Sequence, residues 1–172
     1  IFFYMGAPYD DTSHYSAQKV IVLEGRFCAK SDDDDNSEHN VFGFFFFDVG
    51  NRYVQLIDIH QAAGVYNVYH ATADNAWSAS HGQTKIASAY GWNYFRLEVY
   101  PYNHGAGPAF KRLVVNGTEY PGLNGQVGYS IAHLPGVYGV GVYALTELFT
   151  ENEENGLWDE IAVWTYEEPY EE

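Results

Sequence analysis

The residues of this chain that could do chemistry are an acidic run, scattered histidines, single acids in strand-like sequence, and aromatics in polar surroundings. The acidic run is Ser31-Asp-Asp-Asp-Asp-Asn-Ser-Glu38. Hard cations such as Ca²⁺ take roughly six to eight oxygens, which clustered loop carboxylates supply. Asp32, Asp33, Asp34 and Asp35 are therefore the candidate Ca²⁺ ligands, with Asp10-Asp11 and the acids of 151–154 as weaker versions. The run lacks the Asp-x-Asp-x-Asp-Gly order of an EF-hand loop, so a solvated acidic loop is the plainer reading.

Catalysis finds little to work with. A glycosidase needs two carboxylates facing one cleft, roughly 5–10 Å apart. Asp58 and Glu98 stand singly on strands and read as edge or solvent-facing acids. Handling a uronate would take proton-transfer groups on one strand face and a cluster of cations for its carboxylate. Gln55 and His60 have odd and even positions, which places them on opposite faces, and Arg26 is alone. The histidines at 14, 39, 70, 81, 104 and 133 show no pair sharing a strand face with a third ligand, so no catalytic zinc is expected. His60 reads as a strand-end surface histidine. The expectation is a protein that is not an enzyme.

Sugar binding asks for an exposed aromatic plane beside hydrogen-bonding groups. Trp77, within Asn75-Ala-Trp-Ser-Ala-Ser-His81, and the pair Tyr90 and Trp92 meet that description. The competing reading is core packing, which Trp92, Trp158 and Trp164 are expected to share. Asn116-Gly117-Thr118 is a glycosylation sequon, making Asn116 the candidate acceptor.

The elements that must carry these residues are strands. Runs rich in Val, Ile, Phe, Tyr and Trp follow one another, each bounded by Gly, Pro, Asn or Asp. They fall at 1–5, 18–23, 26–30, 41–48, 53–59, 65–70, 84–87, 92–100, 110–115, 126–131, 137–145 and 157–166. Phe95, Leu97 and Val99 alternate with Tyr94, Arg96 and Glu98, the period of a half-buried strand. Asn116-Gly117 between two such runs predicts a two-residue hairpin turn, because both residues tolerate φ > 0. No window of a dozen residues keeps a helical period.

The bulk numbers bound the rest. At 172 residues the chain is one domain, able to bury a two-sheet core without staples. Residues 1–5 are set apart as a strand that could be exchanged, and 167–172 as an acidic tail. The net charge is −15, from 23 acids against 8 basic residues, which disfavours nucleic acid and anionic membranes. No apolar run approaches the roughly 18 residues a membrane-spanning helix needs, so no insertion into a membrane is expected. Cys28 is the single cysteine, without an internal disulfide partner, and reads as a small buried hydrophobe. A chain opening at Ile1 suggests a processed product and a secreted or cell-surface location.

The order Trp92-Asn93, Asn116-Gly117, Gly125-Gln-Val-Gly128 and Trp158-Asp-Glu-Ile161 resembles the concanavalin A-like, laminin-G-like jelly-roll sandwiches over about Gly25 to Tyr166. The resemblance implies an all-β, two-sheet antiparallel fold. It leaves function open, since such folds bind glycans, bind Ca²⁺, cleave polysaccharides or build structures.

The leading functional expectation is a self-assembling structural or adhesive subunit of an extracellular filament, tube or sheath, Ca²⁺-assisted. Its assembly strand would be Ile1, Phe2, Phe3, Tyr4 and Met5, donated to the sheet of a second copy. The first alternative is a lectin-like carbohydrate-binding module with glycan as partner. A lyase or glycosidase is the remote one.

Overall fold

The computed structural model describes residues 2–5, 19–29, 38–48, 50–62, 65–86, 91–101, 107–132, 139–148 and 157–169. The strands are β1 (Phe2–Met5), β2 (Lys19–Ala29), β3 (Glu38–Asp48), β4 (Asn51–Ala62), β5 (Val65–Ala73), β6 (Ala76–Trp77) and β7 (Gln83–Thr84). Then follow β8 (Gly91–Tyr100), β9 (Ala109–Val115), β10 (Thr118–Glu119), β11 (Tyr129–Ala132), β12 (Gly139–Leu148) and β13 (Leu157–Glu167). A 3-10 turn at Pro121–Leu123 is the helical element among the described residues.

Two antiparallel sheets form a jelly-roll sandwich. The first runs β1-β12-β3-β4-β5-β6, with β7 also on β5 and β11 on β4. The second runs β10-β9-β8-β2-β13. Chain order jumps between the sheets: β2 lies in the second, β3 to β7 in the first, β8 to β10 in the second. The expected segments 18–23 and 26–30 are one continuous strand, β2. Gly25 does not interrupt it but sits under the bulge in β13, where a Cβ would come 2.5 Å from Ile161 Cδ1.

Alternation builds the core. Phe42, Phe44 and Phe46 of β3 and Ile57 and Ile59 of β4 face Leu23 and Phe27 of β2, Phe95, Leu97 and Val99 of β8, and Phe110, Leu113 and Val115 of β9. Each such side chain, fully buried, contributes roughly 1.5–3 kcal/mol relative to exposure. This layer is what two β-sheets with period-two patterning must produce. The Asn116-Gly117 turn forms as expected, with φ of 48° and 79° at its two residues and Val115 paired to Thr118.

The first strand pairs inside its own chain, Phe2 opposite Tyr143 through Met5 opposite Val140. Its neighbour is β12. The acidic end differs from expectation. Glu167 is the last residue of β13, and Glu168 accepts hydrogen bonds from Tyr100 Oη and Lys111 Nζ. Those partners hold it to the domain.

Candidate functional site

Because β3 turns into β4 at Asp48–Asn51, the even residues of β4 and the odd residues of β3 lie on the sheet face away from the core. That outer face carries a groove of about 370 Å³. Phe45, Tyr143 and Tyr129 supply aromatic surface, and Trp77 joins them from β6. His39, Arg52, Asp74 and Asn75 bring polar groups to the same space. Arg52 stacks its guanidinium 5.3 Å from the Phe45 ring centroid. Its Nε is buried with no hydrogen-bond partner among the described residues, so the side chain has unmet donor capacity beside the groove. Asn75 holds φ at 57° in the two-residue turn Asp74–Asn75 that brings Trp77 back across β5.

At the His39 side of this face three ionisable groups converge. His39 stands directly opposite His60 in the β3–β4 register, and the rings stack with centroids 3.8 Å apart. Asp58, two residues before His60 and so on the same face, lies 2.6 Å from His39 Nδ1 through Oδ2. Burial, and then the neighbouring His39, lowers the pKa of His60 below its ordinary value, against an opposing pull from Asp58. A second pair sits across β5, where His70 Nδ1 and His81 Nε2 are 2.7 Å apart. Burial lowers both pKa values, with His81 adding to the effect at His70.

Several sequence expectations change here. His60 is half-buried in a ring stack rather than a surface histidine, and histidines do pair on shared faces. These pairs form across strands, so spacing along a single strand does not reveal them. Asp58 and Glu98 are fully buried rather than solvent-facing. Each has polar partners: His39 for Asp58, and Arg96 Nε and Tyr166 Oη, both 2.8 Å away, for Glu98. They lie in different sheets, so they are not a catalytic pair. Gln55 and His60 do point to opposite faces. Gln55 is buried, donating to Pro108 O and accepting from Gly128 N.

Of the glycan candidates, Trp77 lines the groove and Tyr90 lies outside the described residues. Of the tryptophans assigned to the core, Trp158 packs on Phe27 and Phe95. Trp92 and Trp164 are more than one-third exposed. They occupy the parity opposite to Phe95 and Val163 and are covered by Arg26 and Arg96 instead. Asp32, Asp33, Asp34, Asp35 and Ile1 lie outside the described residues, as do His14, His104 and His133. At Asn116, Nδ2 donates to Lys85 O and Asn93 Oδ1 while Oδ1 accepts from Tyr94 N. A glycan on Nδ2 has to displace one of those donated bonds.

Neither a family model nor a curated protein matches this chain. Among solved structures, a tetrameric galectin from the ball sponge Cinachyrella sp. aligns over 95% of this chain and 98% of that one. The TM-score is 0.39 and the identity 11%. The sandwich architecture stands on this chain's own strand pairing.

Proposed function

We propose that this domain is a non-catalytic, lectin-like carbohydrate-binding module that works outside the cell and holds its glycan in the groove over β3, β4, β5 and β12. One observation carries the reading: aromatic planes and polar side chains converge on a single concave space of about 370 Å³. Sugars present apolar ring faces rimmed by hydroxyls, so they need both kinds of contact, and a groove of this size fits a small ligand or part of a chain. Trp77, Tyr129 and Tyr143 offer stacking surfaces. Arg52, Asp74, Asn75 and His39 offer donors and acceptors. A net charge of −15 favours neutral glycans over polyanionic ones.

The test is a glycan array followed by calorimetry with the wild type and with Trp77→Ala. Binding of a neutral glycan, weakened about tenfold in a variant that still melts normally, supports the proposal. An array with no neutral-glycan signal removes it.

A self-assembling subunit remains the second reading, favoured by the position of β1 at the sheet edge with β12 as its neighbour. An outermost strand can leave its own sheet and add to that of a second copy. Deleting residues 1–5 should then abolish polymers seen by negative-stain microscopy while leaving a folded monomer. Polymers that persist in the deletion variant exclude strand donation.

A further inference from the structure

Three of the described side chains bring metal-binding chemistry together. One donor atom from each of His39, Asp58 and His60 lies within 4.8 Å of the other two. We infer that these residues form a binding site for a divalent first-row transition ion of the zinc class. The inference does not depend on the carbohydrate reading.

The fold positions the ligands. His39 and His60 are cross-strand partners in a hairpin closed by the Asp48–Asn51 pair, and Asp58 follows the same face at a two-residue step. All three donors therefore ride on two hydrogen-bonded strands, with no loop to order before an ion can bind. Asp58 is buried, and His39 and His60 are partly exposed. That leaves a path from solvent while placing the anionic ligand where a cation is poorly screened.

The donor set selects the ion. Two imidazoles and one carboxylate suit zinc and its neighbours, whereas Ca²⁺ takes oxygen donors throughout. The 2.6 Å separation of His39 Nδ1 and Asp58 Oδ2 is a hydrogen-bond distance and implies a shared proton. A bound ion takes the place of that proton on Nδ1, and a neutral His39 then carries its proton on Nε2. Zinc bonds of about 2.0–2.1 Å place tetrahedral donors roughly 3.3 Å apart. Reaching this spacing from a 2.6 Å pair and donors within 4.8 Å requires the His39–Asp58 pair to part slightly and the third donor to close in. Three protein ligands leave a coordination position open, and His39 also borders the groove.

The plain alternative is a structural cluster, a histidine stack pinned by a carboxylate. The two are separated by titrating metal-stripped, untagged full chain with Co²⁺, whose visible absorption reports coordination, and with Zn²⁺ by calorimetry. The expected result is one saturable site per chain that excess Ca²⁺ does not occupy. His60→Gln and Asp58→Asn should each weaken it at least about tenfold with the strand circular dichroism retained. His81→Gln, altering the other histidine pair, should leave it unchanged.

Should the variants fail to fold, Cu²⁺ broadening of wild-type amide resonances gives the answer directly. Loss confined to the neighbourhood of 39 and 58–60 supports the site, and loss centred elsewhere overturns it. Absence of saturable binding, or affinity that falls with His81→Gln and not with His60→Gln, also overturns it.

Discussion

The outer faces of the two sheets are built on the same strand alternation, and the cluster around Glu98 on one contrasts with the groove beside Arg52 on the other. On the second sheet, Trp164, Arg96, Tyr166, Glu98, Tyr100, Lys111 and Glu168 close over one another. Arg96 lies over Trp164, Lys111 over Tyr100 and Tyr166, and Glu98 accepts from both Arg96 and Tyr166. Val20 and Val22 on that face are fully buried. On the first sheet, aromatics and polar groups line an open groove; a buried guanidinium Nε without a partner among the described residues occurs on both faces, at Arg52 here and at Arg26 on the other. Around Glu98 the polar groups satisfy one another and add stability, while toward Tyr94 and Asn116 the same face keeps a second groove of about 320 Å³. The groove on the first sheet leaves polar groups turned to a concavity, where the proposed glycan would meet them.

The largest expected effect comes from breaking the cluster around Glu98. Glu98→Ala removes a carboxylate that is 2% exposed and leaves Arg96 and Tyr166 without it. Arg96 is 37% exposed and regains water, so the loss falls chiefly on the Tyr166 hydroxyl and the vacated space and is about 1–3 kcal/mol, measurable by urea unfolding. A loss below about 1 kcal/mol would show that the covering layer is ornamental to stability.

On the open face the same kind of truncation should act on binding instead. Arg52→Ala should weaken glycan binding about tenfold while changing the unfolding free energy by less than about 1 kcal/mol. Equal stability losses for Glu98→Ala and Arg52→Ala would erase the distinction between the faces.

Acid should strain the histidine pairs of the first sheet. His60, His70 and His81 all have folded pKa values below 6.5, chiefly because burial disfavours their charged forms. The unfolded chain therefore takes up protons first. The stability these groups contribute is complete above pH 6.5 and is lost as pH falls through the lowered folded values. Melting temperature should decline below pH 6.5, and His81→Gln should make that decline shallower.

Alkali should show the smallest effect, in the cluster around Glu98. Burial, and then the hydrogen bond to Glu98, pushes the Tyr166 pKa up to about 12 from 10.0. The folded state keeps this proton longer than the unfolded chain does. Its contribution is whole below pH 10 and disappears as pH rises through about 12. Tyr166→Phe should flatten that part of the alkaline melting profile, and an unchanged profile would place the titration elsewhere.

Strand placement was legible because the apolar period of two is strong in this chain. The Asn116-Gly117 turn was legible because its φ requirements narrow the residue choice. Parity was also available for Trp92 and Trp164, since Phe95 and Val163 mark the core side of their strands. Their aromatic character pulled the expectation inward, against the alternation. The His39–Asp58–His60 cluster was half visible: Asp58 and His60 share a face by their spacing alone. His39 enters only once the hairpin register is known, and counting back from closure at Asp48 and Asn51 sets it opposite His60. Groove membership of Arg52, Tyr129 and Tyr143 had no local signal, because it arises from strands far apart in sequence meeting on one sheet.

One edge of β4 is shared. Residues 51–54 bond to β11, residues 57–62 bond to β5, and the Gln55 side chain reaches toward the junction to accept from Gly128 N. Tyr129 on β11 and Trp77 beyond β5 thus approach the same groove from two separately hung flaps. In mechanical terms β4 is a common rail, and the spacing between those two rings can change without shearing a continuous ladder. A ligand gripping both would tie the flaps together, and amide exchange should slow along 66–71 and 129–132 at once.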